Sequence, residues 1–194
     1  IESSDQWHVA DFGEYQVWTD GTTILAREYN EDTKVFGWSA KSVDYTINSV
    51  CNFRGQLLAG GVNDTGIDEN VVFYSRIGHA DLSTLFNGYG EDISGGFVPM
   101  PWEGTIYCVK PLGNGVMVYG DKGIALLKPG FVEPIPAFGV NKLFDFGIVS
   151  RSAVGGDEDV HIFVDTSNRV WRIDANYKLM MLDYSEYIEE VADD

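Results

Sequence analysis

Apolar positions along the chain fall in short runs cut off by Gly, Asn, Asp or Pro, and helical spacing is almost absent. Val160-His161-Ile162-Phe163-Val164 alternates, passes through Asp165-Thr166-Ser167-Asn168, and resumes at Arg169-Val170-Trp171-Arg172-Ile173. Val116 to Tyr119 does the same through Gly120-Asp121-Lys122-Gly123 into Ile124 to Leu127. Tyr15 to Trp18 does so through Thr19-Asp20-Gly21 into Thr23 to Ala26. Period-two runs joined by Gly, Asn and Asp predict β-hairpins, because those residues tolerate the backbone angles of tight turns.

Each hairpin follows another apolar run: Trp7 to Phe12, Ser49 to Phe53, Thr105 to Val109, and Phe146 to Ser150. In the second copy the hairpin strands are Gln56 to Gly61 and Val71 to Ser75. With Val17, Leu58, Val118 and Ile162 as equivalent positions, the spacings are 41, 60 and 44 residues. Strand-built periods of roughly 40 to 50 residues predict an all-β, propeller-like array of about four three- or four-stranded repeats over residues 1–182. A β-sandwich is the alternative. One insertion, residues 78–102, accounts for the long middle spacing. Residues 183–194 hold six acids and no base, with Tyr184, Tyr187, Ile188 and Val191 at helical spacing. They read as a short amphipathic helix or a solvated acidic tail.

Composition then narrows the function classes. At 194 residues, 44% hydrophobic and 13% aromatic, the chain can bury a substantial core. Its 30 acids against 13 bases give a net charge of −17, a surface that repels phosphate backbones and anionic membranes. No apolar run reaches the roughly 18 to 20 residues of a membrane-spanning helix. Cys51 and Cys108 sit in apolar strand contexts and read as small buried hydrophobes in a reducing compartment, not as a disulfide framework.

Catalytic chemistry is sparse. His8, His79 and His161 show no zinc-ligand spacing to one another or to a cysteine, and no phosphate loop or serine elbow occurs. Asn63 to Asn70 alternates oxygen-bearing residues around Gly66 but lacks the order of a calcium loop. No catalytic residue, metal or cofactor is expected. Trp18 and Trp171 read as core residues, whereas Trp102, in Pro99-Met100-Pro101-Trp102-Glu103-Gly104, reads as an exposed aromatic.

Two segments carry a resemblance. Val50-Cys51-Asn52-Phe53-Arg54-Gly55-Gln56-Leu57-Leu58-Ala59-Gly60-Gly61, with Val71 to Gly78 and Asp81 to Phe86, resembles a phrase common in virion structural proteins of tailed bacteriophages. Gly104 to Tyr119 is similar to the repeat that follows it in those proteins. The resemblance implies a non-enzymatic tail or head–tail component, assembled in the host cytoplasm and lodged in the virion. Its partners would be other copies of itself in a symmetric ring and neighbouring virion proteins. Ring contacts need apolar and aromatic patches, so the candidate interface is Phe86, Tyr89, Phe97 and Trp102 from the insertion, with Tyr184, Tyr187 and Ile188 from the tail. A second reading is a propeller-type domain that binds carbohydrate or hydrolyses glycosides, the latter requiring two facing carboxylates.

Overall fold

The computed structural model describes residues 6–41, 45–64, 68–78, 95–132 and 135–182. They form four antiparallel sheets of four strands each, with no helix among the described residues. The first sheet is β1 (His8–Asp11), β2 (Gln16–Thr19), β3 (Ile24–Asn30) and β4 (Val35–Ala40). The second is β5 (Thr46–Phe53), β6 (Gln56–Asn63), β7 (Val71–Tyr74) and β8 (Gly96–Pro99). The third is β9 (Ile106–Leu112), β10 (Gly115–Gly120), β11 (Ile124–Val132) and β12 (Ile135–Phe144). The fourth is β13 (Val154–Gly156), β14 (Val160–Val164), β15 (Val170–Asp174) and β16 (Leu179–Leu182). Within every sheet the strands lie in chain order, each paired with the next, which is the meander of a propeller blade.

The three sequence hairpins are present in register, with Val17 opposite Ala26, Val118 opposite Ala125 and Phe163 opposite Trp171. Two boundaries differ from the sequence expectation. The first strand of the fourth sheet is Val154–Gly156; Phe146 to Ser150 instead forms a connector with a single bridge, Ile148 to Asp165. Residues 78–102 are not wholly an insertion, because Gly96–Pro99 is the outer strand of the second sheet.

Burial follows the stacking of the sheets. Ala10, Val17 and Ile24 pack with Ile47, Leu57 and Val62 between the first and second sheets. Leu58, Val72, Ile106, Val116 and Leu127 fill the space between the second and third. Met117, Tyr119, Leu126, Phe163 and Ile173 fill that between the third and fourth. A sheet flanked on both sides buries both faces, so the central strands read as continuous apolar runs: Gln56 to Val62 and Gly115 to Gly120 are buried throughout. The corresponding strands of the outer sheets alternate, as in Gln16–Thr19 and Val160–Val164.

Three of the aspartates serve the turns between strands. Asp20 accepts the Thr22 and Thr23 amides at 2.8 and 2.6 Å, Asp157 those of Asp159 and Val160 at 2.9 and 3.1 Å, and Asp174 those of Asn176 and Lys178 at 2.9 and 3.1 Å. Each carboxylate supplies the turn with acceptors the strand ladder does not.

Gly61 marks the tightest approach of the second sheet to the third. Its φ is +65°, and a Cβ there would lie 2.2 Å from the Ile106 carbonyl oxygen and 2.5 Å from Asn48 Nδ2, which donates to that oxygen at 2.9 Å. Gly61→Ala is expected to lower unfolding free energy by about 2–4 kcal/mol, left-handed strain adding to overpacking. Urea denaturation measures it, and a loss below about 1 kcal/mol would mean that the sheets slide apart easily.

Candidate functional site

The first strands of the four sheets converge on one axis, and a cavity of about 280 Å³ lies between them. Its lining includes Gln6, His8, Cys51, Cys108, Lys110 and Val154, so all four sheets contribute. Polar side chains fix this convergence. Ser49 Oγ on β5 accepts the Val109 amide of β9 at 3.0 Å and lies 2.7 Å from His8 Nδ1 on β1. Arg151, in the connector before β13, donates to the carbonyls of Thr19 (2.7 Å), Asp20 and Asn48. One guanidinium thus ties the fourth sheet to the first and second.

The chemistry of the cavity follows from two atoms. Gln6 Oε1 and His8 Nε2 are buried, and neither has a hydrogen-bond partner among the described residues. The Ser49 hydroxyl is closer to His8 Nδ1 than to its other acceptor, the Val109 carbonyl at 3.3 Å. Donation to Nδ1 leaves the ring proton on Nε2, so His8 presents a donor and Gln6 an acceptor. Burial, and then the charges of Arg151 and Lys110, lower the His8 pKa to about 3, so the ring is neutral at physiological pH. Lys110 forms no salt bridge with any described residue. The cavity is therefore a positive, hydrogen-bonding spot on a strongly acidic chain. The two thiols add no reactivity: burial raises both pKa values, that of Cys108 to about 11.

A second, more open cavity of about 380 Å³ is lined by Asp68, Glu69, Asn70, Glu103, Gly104 and Thr105. Asp68 and Glu103 are exposed, and Glu69 accepts the Thr105 hydroxyl. Among the described residues no group of three or more His, Cys, Asp or Glu is placed to hold a metal ion.

The residues singled out from the sequence are scattered. Trp102 is 8% exposed, packed over Gly120 and Gly123 in the core between the second and third sheets, so the expected exposed aromatic is an interior one. Phe97 lies on β8, 45% exposed, with its ring 6.2 Å from that of Phe73. Phe86, Tyr89, Tyr184, Tyr187 and Ile188 lie outside the described residues. His161 is a core residue: it donates from Nε2 to the Pro111 carbonyl at 3.0 Å and accepts the Tyr119 hydroxyl at Nδ1, 2.8 Å away. Sequence reasoning passed over His8, Gln6, Lys110 and Arg151. The available signal was position, since His8 and Lys110 lie in or directly beside the leading run of a repeat, which is the strand nearest the axis.

No protein-family model and no curated protein matches the chain. Among solved structures, Hsv2p of Kluyveromyces lactis is similar at 13% identity over 96% of this chain and 52% of its own, with a TM-score of 0.47. Human WBSCR16 is similar at 12% identity over 96% of this chain and 56% of its own, with a TM-score of 0.48. The chain spans about half the length of these structures. Both are cellular proteins, of yeast and human, and not phage particles. They correct the expectation drawn from the resemblance: the chain is not assigned to a bacteriophage tail or head–tail ring, nor to a virion.

Proposed function

We propose that the protein is a non-enzymatic binding module whose axial cavity takes a small acidic saccharide, a monosaccharide bearing a carboxylate. The observation that carries this reading is the pair of buried, unpartnered polar atoms, Gln6 Oε1 and His8 Nε2, lining one cavity with Lys110. A sugar hydroxyl satisfies the acceptor, a ring or carboxylate oxygen the donor, and the carboxylate faces the unpaired ammonium. The volume lies near the lower end for small-molecule sites, which favours a single sugar unit. Binding is favoured over hydrolysis because none of the described residues lining this cavity is a carboxylate, and glycoside cleavage uses two.

Calorimetric titration with glucuronate and, separately, with glucose tests the reading. Glucuronate is expected to bind more tightly than glucose, and Lys110→Ala to abolish that preference. His8→Ala is expected to weaken both by on the order of tenfold, the loss of one buried hydrogen bond. Absence of binding by either sugar at millimolar concentration overturns the proposal.

A further inference from the structure

Side chains bond from sheet to sheet in one belt around the axis. Thr19 Oγ1, fully buried, donates to the Ile47 carbonyl at 2.6 Å and joins the first sheet to the second. Asn48 Nδ2 donates to the Ile106 carbonyl at 2.9 Å and joins the second to the third. Arg151, in the connector before β13, donates to the carbonyls of Thr19, Asp20 and Asn48 and joins the fourth to the first and second. Among the described residues no apolar cluster spans the first and fourth sheets, so the guanidinium stands where other neighbouring sheets have packed side chains.

The place is shaped for this side chain. Its three carbonyls belong to two sheets, and a planar fork of five N–H donors reaches them together, which a lysine ammonium does not. Gly21 leaves the room: a Cβ there would lie 3.4 Å from Arg151 Nη1. The belt also borders the axial cavity. Val154, three residues beyond Arg151, lines the cavity, and the residue after Asn48 is Ser49, whose hydroxyl lies 2.7 Å from His8 Nδ1. After burial, Arg151 is the largest influence on the His8 pKa, and it acts on Cys108 as well, which sets its charge beside the cavity.

We propose that Arg151 is the positioning residue of the axial cavity: its bonds to the first and second sheets hold the connector and Val154 in place, keep the cavity closed, and set the spacing of His8 and Lys110 around a ligand. The effect on a ligand rests on the saccharide reading; the closure of the cavity does not.

Alkylation of Cys108 by iodoacetamide, followed by mass spectrometry on the 194-residue chain, reads the closure without a ligand. The thiol lines the cavity and is 2% exposed, so slow reaction is expected in the wild type. Arg151→Lys keeps the charge and loses the fork. It should react faster, by on the order of tenfold or more, than wild type brought to the same stability with urea. Matched stability separates a local opening from general loosening, and circular dichroism checks the fold. Arg151→Gln should show the same increase and takes the place of the lysine variant if that does not fold. Equal rates at equal stability overturn the proposal.

Calorimetric titration supplies the second arm. Arg151→Lys should weaken glucuronate and glucose alike, by on the order of tenfold, and leave the preference between them intact because Lys110 is in place. Unchanged affinity for both sugars overturns the proposal, as does loss of the preference alone, since Arg151 would then act as a charge and not by position. If neither sugar binds the wild type, the saccharide reading falls, and the alkylation rates still decide whether Arg151 closes the cavity.

Discussion

Asp165→Ala is expected to remove about 3–5 kcal/mol of stability, the cost of breaking a buried and fully engaged ion pair. The Asp165 side chain is completely buried at the bend between β14 and β15. Its two oxygens accept the Ser167 and Arg169 amides at 2.8 and 3.0 Å, Arg169 Nε at 2.8 Å and Trp171 Nε1 at 2.8 Å. Arg169 Nη2 completes the set at 2.7 Å, with its guanidinium over the rings of Phe146 and Trp171. Burial alone pushes this carboxyl upward, but the bonds from Arg169, Trp171 and Ser167 outweigh it and hold the pKa below the ordinary value. Removing the carboxylate orphans several donors at once. Asp165→Asn preserves the shape but turns an amide N–H₂ toward donors, so most of the loss is expected there as well. Urea denaturation monitored by circular dichroism measures both. A loss below about 1 kcal/mol for the alanine variant would show that the stacked rings hold the bend without the carboxylate.

Mild acid should unfold the protein, and His161 sets the direction. Burial first, then the charge of Lys110, lowers its pKa from 6.5 to about 4 despite the bond to Pro111. The unfolded chain therefore takes up the proton more readily than the fold does. The stabilisation is complete above about pH 6.5 and is lost as pH falls toward 4. A difference of 2.5 units corresponds to about 3 kcal/mol at full development. His8, with its pKa near 3, acts in the same sense. The structural reason lies in the Tyr119–His161–Pro111 chain. The Tyr119 hydroxyl, itself fully buried, donates to Nδ1, and a proton on that nitrogen would take away the acceptor this hydroxyl uses. Protonation of the acidic surface relieves repulsion and runs the other way, so His161→Gln is the reference. The melting temperature of the wild type should fall more steeply between pH 7 and 4.5 than that of the variant. Parallel curves would rule out the imidazole as the cause.

Hairpins and the fourfold repeat were legible in the sequence because alternation and turn chemistry are local. The outer strand of each repeat was not: β4 buries none of its residues, and β8 is hidden at the end of a long irregular stretch. The connector from Phe146 to Ser150 imitated a strand because it is apolar for another reason. Phe146 stacks between Phe144 and Trp171, and Ile148 enters the core. The phage resemblance has a similar origin. Leu57 to Gly61 and Val116 to Tyr119 are the middle strands of sheets flanked on both sides, a setting that selects the same apolar runs and close-packed glycines in unrelated proteins. The axial cavity could not be read at all, since Gln6, His8 and Lys110 become neighbours only when separate sheets gather around one line.

Every sheet is a single unbroken stretch of chain, and only the connectors at residues 41–45, 100–105 and 145–153 pass between sheets. The architecture is therefore modular: a gene can gain or lose a whole unit by duplication or deletion at a connector without rethreading any strand. What limits such growth is the compatibility of the new unit's two faces with its neighbours. The apolar middle strand and the alternating one are then two settings of one module, one packed on both faces and one with an exposed face. On this view a few substitutions on the exposed face of Gln16–Thr19 or Val160–Val164 would turn an alternating strand into the apolar kind that packs on both faces.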